Sequence, residues 1–150
     1  MGQTLSQMYI HLVFSTRGRT DTIPQSLDRD LYAYIAEILK ANHSPALRIG
    51  GVANHVHILF CLDRSKALSD VVREVKSSSS RWLNGKMGIM HPFYWQDGYG
   101  AFSISQSHVD AVKHYIDIQK EHHKQKSFKD ELRRICSLYG VDLNEKYVWD

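Results

Sequence analysis

Two imidazoles separated by one valine stand in the run Ala53-Asn54-His55-Val56-His57-Ile58-Leu59-Phe60. The run is apolar, carries valine, isoleucine and phenylalanine, and follows Gly50-Gly51, which together read as a β-strand. Successive strand side chains point to opposite faces, so His55 and His57 share a face while Val56 takes the other. Paired imidazoles on a stiff strand form a candidate clamp for a divalent cation, although the same triplet also occurs in ordinary strands. Further along, Tyr115 and Gln119 lie in Ser107–Gln119, where Val109, Val112 and Ile116 recur at helical spacing. Ser107 reads as the N-cap, with Asp110 completing a capping box. Residues four apart on a helix are neighbours, about 5–6 Å apart at Cβ, so the phenol and the amide would sit together where core meets solvent. Either residue alone also fits a packing or a solvated role.

The elements that must position these groups follow from the pattern. Met8 to Ser15 reads as a strand with Ile10, Leu12 and Phe14 on one face and Tyr9, His11 and Val13 on the other. Pro24 and Ser26 start a helix to about Ala41, with Leu27, Leu31, Ile35, Ile38 and Leu39 buried. Leu47 to Ile49 is a short strand, and Gly50-Gly51 a tight reversal or bulge. A second helix is expected over about Leu68 to Leu83, running through Ser77-Ser78-Ser79-Ser80 as a small polar face that a DNA backbone could approach. Asn84-Gly85 to Pro92 reads as a loop. Phe93–Gln96 and Ala101–Ile104 read as strand pieces around Asp97-Gly98-Tyr99-Gly100. The tyrosine helix is expected to end near Lys124-Gln125. A last helix runs from Phe128 to about Tyr139, capped by Ser127 and closed by Gly140. Runs of this kind favour an α+β fold, a mainly antiparallel sheet with helices packed on it.

Bulk properties set the outer bounds. The chain has 150 residues, 43% of them hydrophobic, which suits one domain with a core: a body over about 1–140 and a tail over 141–150. No stretch approaches the ~20 apolar residues of a membrane span, and the start carries no signal-peptide pattern; its Gly2…Ser6 match to a myristoylation pattern is too short to carry weight. Cys61 and Cys136 stand far apart and form no knuckle or disulfide framework, so a reducing cytoplasm is the expected home. Net charge is +3, with an isoelectric point near 8.9, so any phosphate-binding surface must be local. Its candidates are Arg17, Arg19, Lys76, Arg81 and Lys113, with Lys120, Lys124 and Lys126 near the tyrosine helix. Trp95 and Tyr99 have the chemistry to stack on unpaired bases. His11 is a candidate polar neighbour of the metal clamp if its strand pairs with that of His57, and His122 a candidate proton-transfer group beside Tyr115.

The ordered set of His55-Val56-His57, then Trp95-Gln96-Asp97-Gly98-Tyr99-Gly100-Ala101-Phe102, then Tyr115…Gln119 resembles the single-tyrosine HUH transposases of the insertion sequence 200/605 (IS200-like) type. The likeness runs from near Tyr9 to near Tyr139. It implies a compact ferredoxin- or RRM-like sheet with the His-Val-His strand central. It implies His55, His57 and Gln119 as metal ligands, Tyr115 as nucleophile, and Mg2+ or Mn2+ as the ion. Such enzymes cut and rejoin single-stranded DNA at hairpin-bearing element ends through a 5′-phosphotyrosine link. The resemblance also implies a homodimer with composite sites, the tyrosine helix packing against a partner's histidines. No ATP is needed, in keeping with the lack of a Gly-x-x-x-x-Gly-Lys loop. Two other readings fit parts of the pattern. One is a non-enzymatic module that binds single-stranded nucleic acid without metal; the other is a metal-dependent hydrolase or oxygenase that uses the histidines but not Tyr115.

Overall fold

The computed structural model describes residues 2–88, 90 and 92–150. Four strands form one antiparallel sheet: β1 (Tyr9–Ser15), β2 (Ala46–Val52), β3 (His55–Cys61) and β4 (Gly100–Ile104), in the order β2-β3-β1-β4. The helices are α1 (Asp28–Ala41), α2 (Leu68–Met87), α3 (Val109–Asp117), the single turn α4 (Gln119–His122) and α5 (Phe128–Leu138). β1 and β3 are the two inner strands, and their register sets Val13 opposite His57 and His11 opposite Leu59.

The alternation of β1 and β3 decides what each face meets. Leu12 and Phe14 of β1, with Val56, Ile58 and Phe60 of β3, pack against Leu31, Ile35 and Leu39 of α1 and Val71, Val72 and Val75 of α2. Each such side chain, fully buried, contributes roughly 1.5–3 kcal/mol of transfer free energy. The opposite face is covered in two patches. Leu59 and Ile104 meet Val109, Val112 and Ile116 of α3. Val13 and Phe102 meet Phe128, Leu132 and Ile135 of α5, with Leu143, Val148 and Trp149 of the tail added at the margin. The histidines occupy the sheet between those two patches.

Several expectations need correction. Gly50-Gly51 is neither a reversal nor a bulge: both glycines lie inside β2, and the chain turns at Ala53-Asn54. Gly50 pairs with His57, and a Cβ there would stand 2.9 Å from Ile116 Cγ2 and 3.0 Å from the Ile116 carbonyl oxygen. Its missing side chain lets α3 lie directly on the sheet. α2 continues past Asn84-Gly85 to Met87, because the Asn84 side chain bonds forward to both backbone groups of Phe93 and so needs no loop at that point. The expected loop over 84–92 therefore begins later, and residues 89 and 91 of it lie outside the described residues. The Phe93–Gln96 piece makes only an isolated bridge, Thr16 with Trp95. The serine run is helical as expected, but Ser79 is buried and accepts a hydrogen bond from Trp95 Nε1 at 2.9 Å, while Ser80 Oγ donates to the Phe93 carbonyl at 3.3 Å. Those two hydroxyls serve the interior and not an approaching backbone.

Candidate active site

His55 and His57 project from β3 onto the sheet face covered by α3 and α5, and both are fully buried. Asn54, at the turn before β3, donates from Nδ2 to the Arg19 carbonyl at 3.3 Å, so its Oδ1 faces His55 Nδ1 at 2.7 Å. An amide oxygen only accepts, so His55 carries its proton on Nδ1 and presents a lone pair from Nε2. That lone pair points at two more acceptors. Gln119 Oε1 lies 3.1 Å away, its orientation set because Gln119 Nε2 donates to the Tyr115 carbonyl at 3.3 Å. Glu131 Oε1 lies 3.3 Å away. Burial holds the His55 imidazole near a pKa of about 4, so a second proton does not relieve the conflict at neutral pH.

Three lone pairs aimed at one point could be satisfied by a cation held between them. His57 Nε2 closes the set, 2.8 Å from the same Glu131 oxygen. The ligand atoms of His55, His57 and Glu131 lie within 4.8 Å of one another. Ligands held about 2.1 Å from a shared ion stand roughly 3 Å apart, which these spacings match. Two imidazole nitrogens, an amide oxygen and a carboxylate could therefore hold a divalent ion, and mixed nitrogen and oxygen ligation suits manganese better than magnesium. His11, on neighbouring β1, meets His57 Nδ1 through its own Nε2 at 2.8 Å, as expected if the two strands paired. Burial, with the His57 charge second, holds His11 neutral, its pKa down to about 3.

Glu131 was not legible as a site residue. It sits in the first turn of α5, where the helix dipole favours a carboxylate and where Ser127 Oγ caps the Asp130 amide at 3.2 Å. Burial opposes its charge, and a hydrogen bond from the His57 imidazole favours it. Among Lys129, Asp130 and Glu131 nothing in charge alone singles it out. The available signal is position: with Phe128, Leu132 and Ile135, Glu131 lies on the buried stripe of α5.

Tyr115 reaches the same carboxylate. Its hydroxyl donates to Glu131 Oε2 at 2.5 Å, and its ring lies 5.6 Å from that of His57 and 5.6 Å from that of His122. Burial first, and the Glu131 charge second, raise its pKa and keep the phenol protonated. Tyr115 and Gln119 do not share one helix as expected. α3 stops at Asp117, Ile118 leaves helical geometry at φ −95° and ψ 13°, and α4 begins at Gln119. That swing turns Gln119 into the interior, not to the solvent border. The expected N-cap also shifts: Ser107 lies within a 3-10 turn, and His108 precedes α3 without a side-chain cap. Tyr115, His55, His57 and Gln119 all come together within one chain.

The basic and aromatic candidates scatter. Arg17 stacks on Tyr94 at 4.5 Å and faces Asp97 at 3.8 Å. Arg19 Nη1 donates to the Trp149 carbonyl at 2.9 Å. Lys76 Nζ donates to the carbonyls of Gln96, Asp97 and Gly98 at 2.6, 3.1 and 2.8 Å, tying that loop to α2. Trp95 is a core residue, edge-on to Phe14 and Phe93, so its faces offer no stacking platform. Tyr99 and Arg81 are exposed, and Lys113 is half-buried. A groove of about 750 Å³ opens beside the site. Arg19, Lys120, Lys124, Lys126 and Lys129 line it with Asn54 and His123, against the carboxylates Asp21 and Asp28, the latter paired with Lys120 at 3.0 Å.

Comparison with known proteins accords with this geometry. The crystal structure of a candidate transposase from Deinococcus radiodurans superposes with a TM-score of 0.64 at 18% identity, over 79% of this chain and 96% of that one. A REP-associated tyrosine transposase bound to a REP hairpin gives 0.58 at 16% identity, over 82% of this chain and 74% of that one. No curated protein sequence matches. The family model described as "Transposase IS200 like" matches residues 4–119, which covers the histidine pair, Tyr115 and Gln119 and ends before α5. The chain belongs to the IS200-like transposase family.

Proposed function

We propose that this protein nicks and rejoins single-stranded DNA, with Tyr115 as nucleophile and a divalent ion, Mn2+ or Mg2+, held by His55, His57, Gln119 and Glu131. The observation that carries the reading is the cluster of opposed lone pairs at His55 with a phenol hydroxyl on the same carboxylate. Such an ion supplies Lewis-acid polarisation of a phosphate oxygen. Glu131 Oε2 fixes the direction of the phenol oxygen, and α3 packed over Gly50 fixes its height above the sheet. The tyrosine oxygen bonds to phosphorus as the bond to the 3′ oxygen breaks, giving a 5′-phosphotyrosine and a free 3′-hydroxyl. The phenol proton departs along its hydrogen bond to Glu131, and the leaving 3′ oxygen takes a proton from water. Because one phosphodiester replaces another, reversal rejoins the strand without ATP. Arg19, Lys124, Lys126 and Lys129 offer phosphate contacts along the groove, with Arg17, Arg81, Lys113 and Tyr99 as outlying contacts.

The substrate in this reading is a hairpin-bearing end, the working unit is a homodimer, and the setting is the cytoplasm. The test exposes the protein and Tyr115→Phe to a hairpin oligonucleotide with Mn2+, then maps attached nucleotide by mass spectrometry. The expected result is an adduct on Tyr115 that falls to background in the variant while DNA binding persists. Binding without any adduct in the wild type would instead support a non-enzymatic module.

A further inference from the structure

The second histidine pair has no part in the reading above. His122 and His123 present Nε2 atoms 3.3 and 2.9 Å from Glu131 Oε2, and the three ligand atoms lie within 4.8 Å of one another. His123 Nδ1 stands 2.7 Å from the Lys126 carbonyl oxygen. A carbonyl only accepts, so Nδ1 of His123 carries a proton, and the neutral ring would turn a lone pair on Nε2 toward the carboxylate. The arrangement repeats that at His55 and His57, on the other oxygen of the same carboxylate. The Tyr115 hydroxyl also donates to Oε2 and does nothing for the lone pair of His123. Glu131 thus offers each of its oxygens to its own pair of imidazoles: Oε1 to His55 and His57, Oε2 to His122 and His123.

A carboxylate between two ligand sets is the usual bridge of a two-ion centre, whose ions stand about 3.5–4 Å apart. We propose that this protein binds two divalent cations, the second held by His122 Nε2, His123 Nε2 and Glu131 Oε2, with Glu131 bridging. Two nitrogens and one carboxylate oxygen suit a first-row transition ion, Mn2+ or Zn2+, over magnesium or calcium. The Lys126 carbonyl behind His123 is the outer support that metal-ligating histidines commonly have. The His122 side chain is 19% exposed where that of His57 is fully buried, so the second site has an entry path and room for water or phosphate. His122, His123 and Glu131 all lie beyond the residues matched by the family model.

Equilibrium dialysis of the full chain against MnCl2, with metal analysis and low-temperature electron paramagnetic resonance, tests the proposal. Two manganese ions per chain with a spin-coupled signal are expected. His122→Ala and His123→Ala should each lower the count to one and leave an uncoupled signal. His122 is partly exposed, so its variant keeps the test informative should His123→Ala fail to fold. One uncoupled ion per wild-type chain overturns the second site and spares the first; no bound ion overturns both. Two ions retained in His122→Ala also overturn it.

Discussion

At the scale of single residues, the site is governed by atoms that can only accept. The Arg19 carbonyl orients Asn54, Asn54 Oδ1 fixes the tautomer of His55, and the freed lone pair meets Gln119 and Glu131. Asn54 is not itself among the proposed ligands, yet it decides what His55 presents. Removing such an outer partner typically costs about 10–100-fold in metal affinity. Asn54→Ala should therefore weaken Mn2+ binding by about that factor in a calorimetric titration, while Asn54→Asp, which keeps an acceptor oxygen at His55, should lose less. An equal loss in both variants would place the role of Asn54 elsewhere. The His-Val-His pair was legible because a period of two needs only a strand to place both rings on one face. Glu131 was not, because a carboxylate in a first turn reads as solvated unless its place on the buried stripe is weighed against its charge.

At the scale of elements, the period of the apolar residues gave β1, α1, α2 and α5 close to their observed bounds. What it could not give was contact between elements. Gly50-Gly51 reads locally as a turn, yet Gly50 is where the Ile116 backbone of α3 rests on the sheet. The break at Ile118 is equally silent in the sequence, since Ile118-Gln119-Lys120 continues a helical pattern without proline or glycine. Gly50→Ala sets a methyl against a main-chain oxygen that cannot rotate away. Overpacking of this kind costs about 1–3 kcal/mol. The melting temperature should fall by several degrees, at roughly 2–4 °C per kcal/mol for a chain of this size. The same variant should bind Mn2+ less tightly, because lifting α3 draws Gln119 from His55. An unchanged melting curve would show that α3 does not rest directly on the sheet at Gly50.

At the scale of the whole molecule, the sheet divides two kinds of interior. The face under α1 and α2 is apolar throughout, and the face under α3 and α5 holds the histidines between two small apolar patches. The fold class could be read from the order of elements, but this division of labour needed the strand order, which puts His11 beside His57. Net charge of +3 gave no address for a polyanion, because the relevant cations gather from separate segments: Arg19 after β1, Lys120 and Lys124 around α4, Lys126 and Lys129 at the start of α5. They meet along an open trough and not at the mouth of a tunnel. A polymer can be laid broadside into a trough at any point along its length, so nothing need be threaded. Covalently closed single-stranded circles bearing the hairpin should then be cut as fast as linear strands of the same sequence, measured by gel conversion of circle to line; a marked preference for linear strands would mean that loading begins at a terminus.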